Sequence, residues 1–278
     1  MTMQPTQPPR HPGHPALLAA GDKVLLLDRK ERRYLMTLEA EKDWHFHGGI
    51  IRHDDIIGRP EGTKVRSSKG STLLVLRPTS ADWTVKAPRG AQVVYPKDQA
   101  MIVQLADIVP GVTVAEAGAG SGALTSALLR AVGPAGRVIS FELRDDHADV
   151  AERNVIERFG GHPANWDFRR GDVVEGLAQV QCERVVLDLL DPSEVLKPAA
   201  DALTPGGILL AYTPTVPQIM RLHEAIAEDP RWGMAKTIET MVRGWHVDGL
   251  SVRPDHRMVA HTAFLTTVRR LPPDADPA

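Results

Sequence analysis

The chain has 278 residues, 42% hydrophobic and 24% charged, with a formal net charge of −2 and one cysteine. This composition excludes a disordered chain and an internal disulfide, and no stretch reaches the roughly 18 apolar residues of a membrane helix. The small net charge argues against a uniformly basic surface but leaves room for a local cationic groove.

The first 15 residues are rich in Pro, Gln and His, lack periodicity and predict a mobile tail in which His11 and His14 belong to no site. They contain no apolar run of the signal-peptide kind, so a cytoplasmic location is expected. From 16 to about 85, short runs such as "KVLLLD", "GGIIRHDDIIG" and "STLLVLR" predict a small β-rich domain. Beyond it, across 86–270, strands alternate with helices. "TVAEAGAG", "GRVISFEL", "WDFRRGD", "RVVLDLL" and "GGILLAYTP" read as strands separated by helical segments. That alternation predicts a doubly wound, mostly parallel α/β sheet, Rossmann-like in form. "MAKTIETMVRGWHV" and "RMVAHTAFLTTVRR" predict an antiparallel pair that closes it, and a short tail is expected at 271–278. Cys182 reads as a core thiol.

The segment "AEAGAGSGALT" joins a strand to a helix, where such folds bind their ligands. Its glycines let a ligand lie against bare backbone. The spacing also satisfies the dinucleotide fingerprint, so a nicotinamide or flavin dinucleotide competes. Glu116, two residues before Gly118, is expected at the strand tip, where it repels a pyrophosphate and attracts an α-amino group. Glu142 ends the next strand and suits the two hydroxyls of a ribose. Asp172 ends a third and suits an adenine amino group, and Asp188 ends a fourth. The alternative for each acid is that it caps the following helix.

Taken with "AQVVYPKD", "VVLDLLDP", "LLAYTPTVPQ" and "RMVAHTAFL", the chain resembles the bacterial and archaeal tRNA adenine N1-methyltransferases over nearly its whole length. These enzymes methylate adenine 58 of the T-loop. The resemblance implies S-adenosyl-L-methionine as methyl donor, tRNA as partner and a homotetramer. It implies that Glu116, Gly118, Gly120, Ser121, Gly122, Ala123 and the adjoining Leu124 hold the methionine end, with Gln104 facing the same end. Glu142 then holds the ribose, His147 lies at its rim, and Asp172 with Val173 borders the adenine. The chain departs from the family pattern at Leu190, Ser193, Ala260 and Ala263, around the substrate pocket.

Asp188 is expected to line the cofactor pocket and to be the catalytic group. A carboxylate that accepts from the exocyclic amine of adenine moves electron density toward N1 and offsets the positive charge that methylation creates. Tyr95 and Tyr212 are expected to stack on or border the base, with His261 and Thr262 at its polar edge. Residues 63–70, Arg169 with Arg170, and 253–257 are the cationic segments expected to hold phosphates. An oxidoreductase and an inactive RNA-binding protein remain the alternatives.

Overall fold

The computed structural model of the protein describes residues 17–86 and 92–272. The tail expected at 1–15, with His11 and His14, lies outside the described residues, as do 273–278. The chain divides into two compact units, Met1–Lys86 and Ala87–Ala278.

In the first unit, β1 (Lys23–Leu27), β2 (Arg33–Thr37), β3 (Asp43–Phe46), β4 (Gly49–Arg52), β5 (Lys64–Arg66) and β6 (Thr72–Leu76) precede the short helix α1 (Ser80–Lys86). Four strands form an antiparallel sheet in the order β2-β1-β6-β5, and β3 pairs with β4 as a separate hairpin. Alternating apolar residues turn Val24, Leu26, Leu73 and Val75 inward, where Leu38, Ile51 and Ile56 complete the core. The β3–β4 hairpin is fastened to the β5–β6 turn by Ser68 N–H donating to the Ile50 carbonyl at 2.9 Å.

The second unit begins with α2 (Pro96–Leu105), whose N-terminal Pro96 has a φ already suited to a helix. Then follow β7 (Thr113–Ala117), α3 (Ala123–Val132), β8 (Arg137–Glu142), α4 (Asp145–Phe159), β9 (Trp166–Arg170), α5 (Val173–Leu177), β10 (Cys182–Leu187), α6 (Leu196–Ala202), β11 (Leu203–Thr213) and α7 (Val216–Glu228). The chain ends in β12 (Trp232–Glu239), β13 (Trp245–Asp248), β14 (Ser251–Pro254) and β15 (Phe264–Arg270). The main sheet has the order β12-β15-β11-β10-β7-β8-β9. Strands β7 to β11 are parallel to their neighbours, and β15 runs antiparallel between β11 and β12.

Side chains alternate across this sheet. Val114, Val138, Val186 and Leu210 pack beneath α2 and α3, while Ala115, Val185, Leu187 and Leu209 pack against α6 and α7. The chain leaves β7 toward β8 and β9, then returns through β10 and β11 on the other side. The switch point is therefore the gap between the C-terminal ends of β7 and β10, where open α/β sheets bind ligands. Cys182 is a buried core thiol, pushed up to about 12 chiefly by burial.

Two features differ from the sequence expectation. Strands β12 and β15 do pair, but residues 240–263 between them carry a further hairpin, β13–β14, that joins neither main sheet. Leu271, expected in the tail, instead extends the β12–β15 pairing, its N–H donating to the Arg231 carbonyl at 2.8 Å.

Candidate functional site

The site begins with backbone. Strand β7 ends at Ala117, and the chain turns through Gly118 at φ +81° into α3. A Cβ on Gly118 would lie 2.1 Å from the carbonyl oxygen of Asp188, so only glycine allows the loop to press against the end of β10. Asp188 N–H donates to the Ala117 carbonyl at 2.9 Å and fixes the same approach from the other side. Gly120 differs: a Cβ there would meet nothing nearer than 3.7 Å, so the space over it is open to a ligand. Ser121 is half-buried, and its carbonyl accepts from Asn154 at 2.9 Å, which ties the loop to α4. Gly122 caps α3 at φ +74°. The side chains of Ala123 and Leu124 are buried beneath the first turn, so they face a ligand only through backbone.

The four acids at the strand ends have unlike surroundings. Glu116 does not face the open rim as expected. Strand alternation turns it toward α3, where it is fully buried and its Oε2 accepts from Thr125 at 2.7 Å and Ser140 at 2.6 Å. Its Oε1 is buried with no hydrogen-bond partner. Burial pushes its carboxyl up to about 7 against those two hydrogen bonds, with the charges of Asp188 and Glu142 adding to the rise. Asp188, one residue past β10, is also pushed up to about 7, by burial first and then by Glu142. Among the described residues no donor reaches its carboxylate.

Glu142 instead accepts from Gly120 N–H at 2.9 Å and Arg144 N–H at 3.1 Å, which leaves a lone pair on each oxygen for further donors. Asp172 is exposed and caps α5 by accepting from Val174 N–H at 2.8 Å, so the capping alternative is realised there while one oxygen stays open. Val173 is buried behind it.

Glu116, Glu142 and Asp188 are close enough to repel one another, and none forms an ion pair among the described residues. A cationic guest relieves that repulsion, and a pyrophosphate would increase it. The orphaned Glu116 oxygen, the open space over Gly120 and this uncompensated negative charge suit a sulfonium bearing an α-amino group.

Tyr212, near the end of β11, lies close enough to Asp188 and to Tyr95, at the start of α2, to sense both. Burial raises the Tyr212 phenol well above its ordinary range, with Asp98, Asp188 and Tyr95 contributing. His261 is exposed. Its Nδ1 lies 2.7 Å from Glu239 and its Nε2 2.8 Å from the Pro214 carbonyl, and these two acceptors raise its pKa. Two acceptors on one ring favour the doubly protonated form.

The structure does not bring Gln104 to this site. It is exposed one turn before Asp107, whose carboxylate binds Arg184 at 2.8 Å near the opposite end of β10. The N-terminus of α2 meets the strand tips, and the helix carries Gln104 away from them. His147 is half-exposed in the first turn of α4, near the Glu142 end of the rim. Arg170 binds Asp149 at 2.7 Å and Glu152 at 3.0 Å, and Arg169 binds Asp167 at 2.8 Å, so this expected phosphate segment is already paired. Lys64, Arg66, Lys69, Arg253 and Arg257 make no ion pair among the described residues.

Four contributors were not expected. Ser140 was signalled only as a polar residue inside an apolar strand, and Gln218 only as part of "TVPQ". Gln218 donates to the Leu190 carbonyl at 2.7 Å and holds the loop that follows Asp188. Lys97 and Asp98 lie within "YPKD" and form a buried pair at 2.7 Å.

Comparison with known proteins identifies the family. The family profile described as tRNA methyltransferase complex GCD14 subunit matches residues 72–264, and a TrmI-like N-terminal profile matches 17–65. The chain is 39% identical over 248 residues to the tRNA (adenine(58)-N(1))-methyltransferase TrmI of Thermus thermophilus, covering 89% of this chain and 96% of that protein. It is 33% identical to the tRNA (adenine(57)-N(1)/adenine(58)-N(1))-methyltransferase TrmI of Methanocaldococcus jannaschii, covering 90% and 95%. Among solved structures, the tRNA (m1A58) methyltransferase TrmI of Aquifex aeolicus superposes with a TM-score of 0.81 at 27% identity, covering 92% of this chain and 100% of that one. A Thermotoga maritima protein described as a SAM-dependent O-methyltransferase gives 0.88 at 30%, covering 93% and 96%. The shared fold thus speaks for the methyl donor and the sequence relatives for the acceptor: the chain belongs to the tRNA (adenine-58-N1)-methyltransferase family of S-adenosylmethionine-dependent enzymes.

Proposed function

We propose that the chain transfers a methyl group from S-adenosyl-L-methionine to N1 of adenine 58 in tRNA, with Asp188 as the catalytic carboxylate. The observation that carries this reading is Asp188 itself, whose backbone carbonyl packs against the glycine loop at the switch point and whose carboxylate has no donor among the described residues. Bound S-adenosylmethionine supplies an electrophilic methyl on a sulfonium. The glycine loop from Gly118 to Gly122, with the backbone of Ala123 and Leu124, cradles its methionine end. Glu116 supplies negative charge beneath that loop, Glu142 accepts from the ribose, and Asp172 with Val173 borders the adenine, His147 standing at the rim.

Asp188, when ionised, accepts a hydrogen bond from the exocyclic amine of the target base. This raises electron density at N1 and stabilises the cationic ring of the product. Tyr95 and Tyr212 border the flipped base, and His261 marks its polar edge. The unpaired cations Lys64, Arg66 and Lys69 of the first unit, and Arg253 and Arg257 of the second, contact tRNA phosphates.

The chain works as a homotetramer in the cytoplasm. Supporting the assembly, Trp245 is 60%, Val247 68% and Val252 58% exposed on β13–β14, and an isolated two-stranded hairpin is marginal in water. No helix among the described residues is long and apolar enough to cross a membrane.

The test is methyl transfer from labelled cofactor to an unmodified tRNA transcript. Replacing adenine 58 should abolish incorporation while replacing other T-loop adenines should not. Indifference to adenine 58 would overturn the reading.

A further inference from the structure

Among the described residues, Asp188 is held only through its backbone. Its N–H donates to the Ala117 carbonyl at 2.9 Å, and its own carbonyl lies against bare Gly118. No donor reaches its carboxylate, so the direction of that group is inherited from the chain on either side of it. The glycine loop fixes one side. The other side is held from α7, where Gln218 Nε2 donates to the Leu190 carbonyl at 2.7 Å. Gln218 is only 5% exposed. One helical turn further along α7, Arg221 binds Asp191 at 3.2 Å, but that pair is partly exposed and adds little.

Gln218 has a second task. It is the third residue of α7, and its Oε1 accepts from Thr215 N–H at 3.0 Å and from Thr215 Oγ1 at 2.5 Å, closing a capping box. A glutamate serves such a box equally and adds a negative charge that a helix N-terminus favours. What the amide alone provides is a donor, and that donor goes to Leu190. One buried side chain thus accepts for the helix, donates to the loop and joins the start of α7 to the strand end that bears Asp188.

We propose that Gln218 is a positioning residue for methyl transfer, its amide holding the Leu190 carbonyl so that the Asp188 carboxylate is aimed at the target base. This rests on the methyltransferase reading and on Asp188 as the acceptor for the exocyclic amine. A displacement of about 1 Å in a group that must meet reacting atoms can cost about 10²-fold in rate, so one tether matters more to rate than to stability.

Single-turnover methylation of an unmodified tRNA transcript by the full-length protein tests it, in a cycle of Gln218→Glu, Asp188→Ala and the double variant. Gln218→Glu keeps the cap and deletes the donor. Its rate constant should fall about tenfold or more, while its thermal midpoint and its affinity for S-adenosylhomocysteine stay close to wild type. In the Asp188→Ala background the same change should cost less than about twofold, because nothing is left to aim. Gln218→Met lacks the donor and places no charge beside the Leu190 carbonyl. It should match Gln218→Glu in rate despite a lower melt, and it carries the test if the glutamate variant does not fold. A rate within about twofold of wild type for both variants, or losses that multiply in the double variant, would overturn the inference. A wild-type chain that transfers no methyl, or an Asp188→Ala variant of near-normal rate, would instead overturn the reading on which it rests.

Discussion

The ends of β7 and β10 and the ends of β8 and β9 carry the same residue types at corresponding places, yet their surroundings make them different chemical objects. Glu116, fully buried, and Asp188, half-buried, lie near the switch point, where desolvation pushes both carboxyls up to about 7. Glu142 and Asp172 accept from backbone N–H groups at 2.8 to 3.1 Å, so their charge is already stabilised by the chain. The first pair therefore gains from an incoming cation, and the second pair from incoming hydroxyl or amine donors. An acid at a strand tip is defined by what its neighbours leave unsatisfied.

Breaking the first pair should have the largest effect. Asp188→Ala should lower the single-turnover rate about 10²- to 10³-fold, the range for removing one group that stabilises developing charge, while S-adenosylhomocysteine affinity changes little. A rate within about threefold of wild type would show that the carboxylate has another task.

Glu116→Gln sharpens the comparison through pH. In the ligand-free protein a carboxyl raised from its ordinary value of 4.5 to about 7 holds its proton in the folded state after the unfolded chain has lost it. Between those two values the native state binds more protons, so the contribution to stability falls as pH rises, by about 3 kcal/mol for this residue. A cationic cofactor favours the ionised form. Binding should release protons near pH 7, and affinity should rise with pH through that window. Calorimetry in two buffers of unlike ionisation enthalpy measures the release, and Glu116→Gln should reduce it.

Glu142→Gln tests the other pair. The amide oxygen replaces only one of two acceptors, so cofactor affinity should fall about tenfold. The slope of affinity against pH near 7 should remain, since Glu116 and Asp188 are intact. Asp172→Ala should have the smallest effect on catalysis and should cost about 1 kcal/mol of stability as a lost helix cap, with Asp172→Asn restoring most of it in thermal melts. A large loss of cofactor binding with an unchanged melt would move Asp172 into the functional group.

Periodicity and turn chemistry made much of the architecture legible. Alternating strands and helices required a parallel sheet, and a glycine-rich turn after its first strand located the ligand site, because both signals are local in the chain. The four acids were visible as strand-end residues for the same reason. Which of them caps a helix was not. Asp172 and Asp188 look alike in sequence, and the difference is the Val174 N–H beside one and, among the described residues, the lack of any donor beside the other.

Residue type and spacing alone thus determined the α/β fold class, the glycine turn and the acid row, and a resemblance carried by the motifs supplied the family. Only tertiary structure decided that Gly118 must be bare because the Asp188 carbonyl lies against it, and that Glu116 is sealed under α3. It likewise decided that Gln104 is carried away from the strand tips, that Arg170 is held by α4, and that Lys97 reaches Thr240 and Thr262 across more than 140 positions of chain. The physical reason is that burial, repulsion and hydrogen-bond direction depend on neighbours brought together by packing, which no local pattern encodes.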